Sequence, residues 1–176
     1  MHAMERQRGR IPVAGFTLVE LMIVVLVLGI LAAIVIPQFT DHTSDARLAT
    51  VDHDLVEIRQ AIELYYQQHG AYPGEVDAAS GAVPASNPET AFVSQLTRFT
   101  NRNGVVSPSR TTEFRYGPYL RTESLPVNPF VGDNTLTADV GAANLSVDLY
   151  DGTSAWKFAV PTGRFIANSA PEHSER

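Results

Sequence analysis

The sequence predicts an α+β protein: a long N-terminal helix, membrane-spanning in its first half, packed on a small C-terminal head built around an antiparallel β-sheet. Three observations predict it. The run from Phe16 to Ile36 is apolar except at Thr17 and Glu20. Leu48, Val51, Leu55, Ile58, Ile62 and Tyr65 then recur at alternating spacings of three and four, the signature of one helical stripe. The last third reads as short strands separated by an Asp151-Gly152 turn and a Pro161-Thr162-Gly163 turn.

The elements follow in order. Residues 1–15 form a basic leader with Arg6, Arg8 and Arg10. Residues 16–36 are the candidate transmembrane helix. As a helix they would span roughly 31 Å at about 1.5 Å per residue, the thickness of a bilayer's hydrocarbon core. The basic leader would stay on the cytoplasmic side and the remainder would be exported. Residues 37–70 continue as a helical stem that should stop near His69, because Gly70 suits the C′ position and Tyr72-Pro73 cannot continue it. From Phe16 to His69 such a helix would be about 80 Å long. Gly29 and Pro37 are its weak points, where a kink or local melting is easiest.

Residues 71–176 are the head. A loop rich in Ala, Gly, Ser and Pro precedes Asn87-Pro88-Glu89, an N-cap, a first-turn proline and a first-turn acid. Phe92, Val93, Leu96 and Phe99 extend this to a short amphipathic helix at about 88–101. Glu113-Phe114-Arg115-Tyr116 is a candidate strand. The stretch from Gly117 to Phe130 is extended and broken by prolines, so it cannot be a central strand. The strands at 145–150, 155–160 and 164–167 make a three-stranded antiparallel meander at about 145–167, whose apolar face requires a cover. The stem stripe is the natural one.

Composition excludes several functions. The 176 residues hold 13 Lys+Arg against 19 Asp+Glu, a net charge of -6, so no nucleic-acid partner is expected. Cysteine is absent, which removes disulfides, thiolate metal sites and cysteine nucleophiles. No phosphate loop, nucleophile elbow or zinc spacing appears, and the chain is not expected to be an enzyme. Asp52-His53-Asp54 could suggest a metal or acid–base group, but consecutive helical residues share no face, and a solvated surface accounts for them better. His173 lies in a polar tail.

From residues alone, the N-terminal segment reads as a cleaved secretory signal or a single-pass anchor. No Ala-x-Ala site ends the run, which argues against the first. Glu20 argues against a plain anchor, since a carboxylate in hydrocarbon costs roughly 2.5 kcal/mol or more unless it is paired or protonated.

Gly15-Phe16-Thr17-Leu18-Val19-Glu20, followed by an apolar helix and Pro37, resembles the class III signal of type IV pilins and type II secretion pseudopilins. The resemblance implies that a prepilin peptidase cuts between Gly15 and Phe16 and methylates the Phe16 amine, and that the apolar helix is retained. It also implies that Glu20 pairs with the N-terminal ammonium of a neighbouring subunit, with Glu20 and Pro37 serving assembly. The family usually carries Lys or Arg directly before the glycine, whereas here the nearest basic residue is Arg10. Loss of the leader removes three Arg and one Glu and leaves 10 basic and 18 acidic side chains.

Gly117-Pro118-Tyr119-Leu120 and Pro126-Val127-Asn128-Pro129-Phe130, ahead of a terminal meander, resemble the major pseudopilin. That likeness makes calcium a candidate ligand, with Asp133, Asp139, Asp148 and Asp151 supplying oxygens. Dispersed aspartates also serve as ordinary turn residues, and no other cofactor is expected.

Charge is divided along the chain. Residues 98–121 hold Arg98, Arg102, Arg110, Arg115 and Arg121 against Glu113, while 122–151 hold five acids and no base. Such faces suit head-to-tail contacts between copies, although solvated charges would look the same. The resemblance thus implies a structural subunit of a pilus-like filament, foremost a type II secretion pseudopilin, single-pass in the inner membrane with a periplasmic head. Its implied partners are further copies and other pilin-like subunits, prepilin peptidase, the inner-membrane assembly platform and membrane lipid. The alternatives are a surface type IV pilin for adhesion, motility or DNA uptake, and an anchored periplasmic binding module or enzyme.

Overall fold

The computed structural model describes residues 15–141, 150–170 and 173, with side chains for all of these except 34–42. The chain divides into two compact units, Met1–Ser44 and Asp45–Arg176. Helix α1 (Leu18–His69) contributes to both. In the first unit its large apolar side chains are open, from Leu18 at 74% exposure to Leu31 at 53%. Among the described residues no helix is long and apolar enough to cross a membrane. The apolar run in the sequence extends to Ile36, past Ala33, the last side chain described there.

In the second unit α1 buries Val51, Leu55, Ile58, Ile62 and Tyr65 to 2% exposure or less, while Leu48 at the end of the stripe is half-buried. The helix ends where Gly70 takes φ +73, a conformation that costs an L side chain and leaves glycine unstrained. Helix α2 (Pro88–Thr97) is capped by the Asn87 side chain, which accepts from the Thr90 N–H at 3.1 Å. It is shorter than the expected 88–101. Arg98 is already extended, and Phe99–Thr100 (β1) pairs antiparallel with Val106–Ser107 (β2) around Asn103-Gly104. The candidate strand at 113–116 forms only an isolated bridge between Tyr116 and Thr100.

The main sheet corrects the expected meander. Its order is β3 (Leu136–Asp139), β4 (Trp156–Ala159), β5 (Arg164–Ala167), with β3 parallel to β4 and β4 antiparallel to β5. The sheet is therefore mixed. The strand expected at 145–150 lies outside the described residues up to 149, and Tyr150 is not in a strand. The edge beside β4 is taken instead by 136–139. A turn in which Asn128 N–H donates to Asp133 O at 2.8 Å delivers it there, and Glu89 of α2 accepts from the Ala138 N–H at 3.2 Å.

Phe92 and Leu96 of α2, with Trp156, Phe158 and Phe165 of the sheet, complete the core over the α1 stripe. Phe92 stacks on Phe165 with 5.8 Å between ring centres and meets Phe158 at 4.6 Å. The Arg59 guanidinium ties the stem to β5 by donating to Phe165 O at 2.9 and 3.1 Å.

Three buried side-chain amides fasten the loops to this core. Gln95 accepts from Gly74 N–H at 2.8 Å and donates to Val76 O and Gly104 O at 2.8 and 2.9 Å. Asn128 donates to Ala155 O at 3.0 Å and accepts from Phe130 N–H. Asn168 accepts from Asp151 N–H and donates to the Asp151 carboxylate and the Ser154 hydroxyl. Gln95→Ala leaves the Gly74 N–H and two carbonyls without partners, and should lower stability by about 3 kcal/mol. Denaturant melts of the detergent-solubilised chain, followed by tryptophan fluorescence, check this through Trp156.

Candidate functional site

The residues that carry the candidate chemistry lie at the start of α1. Thr17 is the residue before the helix and Glu20 is its third residue, the spacing of a reciprocal cap. The Thr17 N–H and hydroxyl donate to Glu20 Oε2 at 3.0 and 2.9 Å, and the Glu20 N–H donates to Thr17 Oγ1 at 3.2 Å. Two backbone donors that a helix start leaves open are thereby satisfied. The Glu20 carboxylate also lies at the positive end of the helix dipole. Glu20 thus has a partner within its own chain, an arrangement the sequence reading overlooked. Its signal was present as Thr-x-x-Glu before an apolar run.

Phe16, one residue further out, is 79% exposed, and Gly15 has nothing within 4 Å of where a Cβ would stand. The bond between them is therefore unobstructed by the described residues. Beyond it, Val19, Met22, Ile23 and Leu26 open an apolar surface more than half exposed at each position. Isolated apolar side chains need no cover, but a continuous surface of this kind is what lipid or another helix covers. Pro37 lies within α1, and its side chain is outside the description.

The calcium candidates are separately employed. Asp133 caps the Thr135 N–H and hydroxyl at 3.0 and 2.8 Å, and Asp139 accepts from Gly141 N–H at 2.9 Å. Asp151 pairs with Lys157 Nζ at 2.7 Å and binds Thr153 and Asn168. Partial desolvation works to raise the Asp151 pKa, but the hydrogen bonds from Lys157, Asn168 and Thr153 outweigh it and hold the carboxyl well below its ordinary range. Asp148 lies outside the described residues. Among the described residues no three His, Asp or Glu side chains gather as a metal site.

The histidines differ from one another. His53 is exposed on the stem. His69 stacks on Tyr65 with 4.0 Å between ring centres, its Nδ1 lying 3.0 Å from Tyr65 O and its Nε2 3.0 Å from the Thr100 hydroxyl. Burial pushes its pKa down, against hydrogen bonds to the backbone that raise it. A neutral ring donating from Nδ1 and accepting at Nε2 satisfies both contacts. His173 corrects the polar-tail expectation: it is 6% exposed, packs on Phe130 at 4.3 Å and meets the Ser169 hydroxyl at 2.8 Å. An imidazole can bury its body against an aromatic while one nitrogen stays bonded.

The prokaryotic N-terminal methylation motif matches residues 12–36, the segment just described. About half of the chain is similar to type IV pilins and to a type II secretion core protein. It is 39% identical over 93 residues to a type IV major pilin protein, PilE1, of Neisseria gonorrhoeae, covering 53% of this chain and 42% of that one. It is 37% identical over 78 residues to type II secretion system core protein G of Pseudomonas aeruginosa, covering 43% and 55%. Fimbrial protein EcpB of Eikenella corrodens is 34% identical over 100 residues, covering 57% and 48%. The chain spans about half the length of the curated relatives it matches. No solved structure matches it.

Removing the reciprocal cap should fray the first turn of α1. Thr17→Val, similar in volume and without the hydroxyl, is expected to cost about 1 kcal/mol locally. Faster amide exchange at Leu18 to Leu21, with Val51 to Tyr65 unchanged, is the expected readout in detergent micelles.

Proposed function

We propose that the chain is a structural subunit of a pilus-like filament, processed between Gly15 and Phe16 and assembled through the apolar start of α1. One observation carries this: a methylation-motif segment whose only acid is held at the helix start, next to an open cleavage bond and an uncovered apolar surface. The sequence adds an apolar run long enough for a bilayer, which supports a single-pass anchor in the inner membrane before assembly. Prepilin peptidase, an inner-membrane assembly platform and membrane lipid are the partners this requires.

Within that reading we favour a type II secretion pseudopilin supporting protein export. The absence of cysteine suits it, and core protein G is among the relatives. A surface type IV pilin is the second reading, favoured by the several Neisseria pilins of comparable identity. In either filament Glu20 would exchange part of its bonding with Thr17 for the ammonium of an arriving subunit. A carboxylate already at the surface of the helix end can make that exchange without first being extracted from a core.

Peptide mass spectrometry of membranes and sheared filaments tests the proposal. A chain beginning at methylated Phe16 is expected. An intact leader, or a start beyond Ile36, overturns it. Recovery of processed chain from the sheared surface fraction favours the surface pilin, and its retention in the periplasm favours the secretion machine. Arg110→Glu is expected to lower filament yield severalfold while leaving the thermal melt of the head unchanged, because it reverses one charge of the arginine-rich segment at an exposed position.

A further inference from the structure

A polar cavity in the head has no part in the N-terminal chemistry. Tyr65 is fully buried in the core, yet its hydroxyl is the one buried side-chain polar atom without a hydrogen-bond partner among the described residues. Leaving a buried hydroxyl unpaired is unfavourable, so the position calls for a ligand. The hydroxyl reaches its place because residue 104 is glycine. Gly104 has φ +77, and a Cβ there would stand 2.7 Å from the Tyr65 oxygen.

Tyr65 and Gly104 line a cavity of about 250 Å³ together with His69, Gly81, Arg102 and Asn103. That volume exceeds the roughly 30 Å³ share of a single water in the liquid. His69 already has a contact at each ring nitrogen, so it supplies no free donor. The donors that remain are the Tyr65 hydroxyl within, the exposed Asn103 amide, and the exposed Arg102 guanidinium, which makes no ion pair among the described residues. A phenol is a donor at neutral pH, and burial raises the Tyr65 pKa further. A guanidinium and a neutral hydroxyl that line one cavity can each donate to an oxygen of a planar carboxylate.

We propose that this cavity is a carboxylate site, bounded inside by Tyr65 and outside by Arg102. The carboxylate comes from a small free acid or from an acidic side chain of a second copy; only the second source rests on the filament reading. Glu123, exposed at the start of the acid-only stretch of 122–151, would supply that side chain.

Acetate is the probe, titrated against the full chain in detergent micelles carrying 13C-labelled tyrosine, with sodium chloride matched for ionic strength. The Tyr65 ring signal, assigned by its loss in Tyr65→Phe, is expected to shift saturably with acetate and not with chloride. Arg102→Gln is expected to weaken acetate about tenfold, the loss of a charged hydrogen bond, whereas Arg47→Gln on the stem leaves it unchanged. Acetate should also raise the melting temperature of the parent chain and not that of Tyr65→Phe. Should Tyr65→Phe fail to fold, the Arg102→Gln comparison decides alone. A linear shift, an equal response to chloride, or unaltered affinity in Arg102→Gln overturns the proposal. Acetate that disperses self-associated chain identifies the second copy as the source; acetate that binds and leaves association intact identifies a free acid. Acetate binding by a chain whose Phe16 is never exposed by processing would keep the site and remove only the second-copy source.

Discussion

The stripe of Val51, Leu55, Ile58, Ile62 and Tyr65 is apolar on one side of α1, and each of these side chains is withdrawn almost completely from water. A single helix cannot provide that burial for itself, so the head exists as the cover: Phe92 and Leu96 from α2, Trp156 and Phe158 from β4, Phe165 from β5. At roughly 1.5–3 kcal/mol for each large apolar side chain buried, this contact dominates any other in the head. Among the described residues the main sheet has three strands, too few to stand without a packed face. Take the stripe away and neither α2 nor the sheet has a reason to hold its position.

The two ends of the same helix solve opposite problems. Within 45–69 one apolar face, Val51 to Tyr65, is covered, while Val56, Leu64 and Tyr66 stay open on the other side. Within 18–31 the apolar residues occupy every face and remain open, with Glu20 satisfied by Thr17 at the very start. A helix apolar all round is stable only among lipid or other helices. The head therefore needs no further copy to fold, while the N-terminal segment does need a surrounding, and this is the physical basis for reading the first as a folded body and the second as an assembly element.

What the sequence made legible was whatever repeats. The three-and-four spacing located the stem stripe, Gly70 its end, and Asn87-Pro88 the start of α2, because each rests on local geometry. The sheet was harder. Leu136-Thr137-Ala138-Asp139 has four residues and little alternation, and its parallel pairing with β4 is set by the Asn128 turn and by Glu89, contacts far apart in sequence. The Phe99–Ser107 hairpin hid behind two-residue strands, although Asn103-Gly104 marked its turn. At the candidate site the Gly15–Phe16 bond was legible as a motif and the Thr17–Glu20 cap was legible and overlooked. The buried roles of Gln95, Asn128, Asn168 and His173 carried no local signal, since a polar residue declares its burial only through the partners that tertiary folding brings to it.

Those three amides have a consequence for where the head can fold. They hold loops in the way that cross-links would, through neutral amides, one of them onto the Asp151 carboxylate, and without sulphur. A neutral amide bond is neither reduced by thiols nor screened by salt. The head can accordingly reach the same structure on the reducing or the oxidising side of a membrane, with no oxidase to wait for.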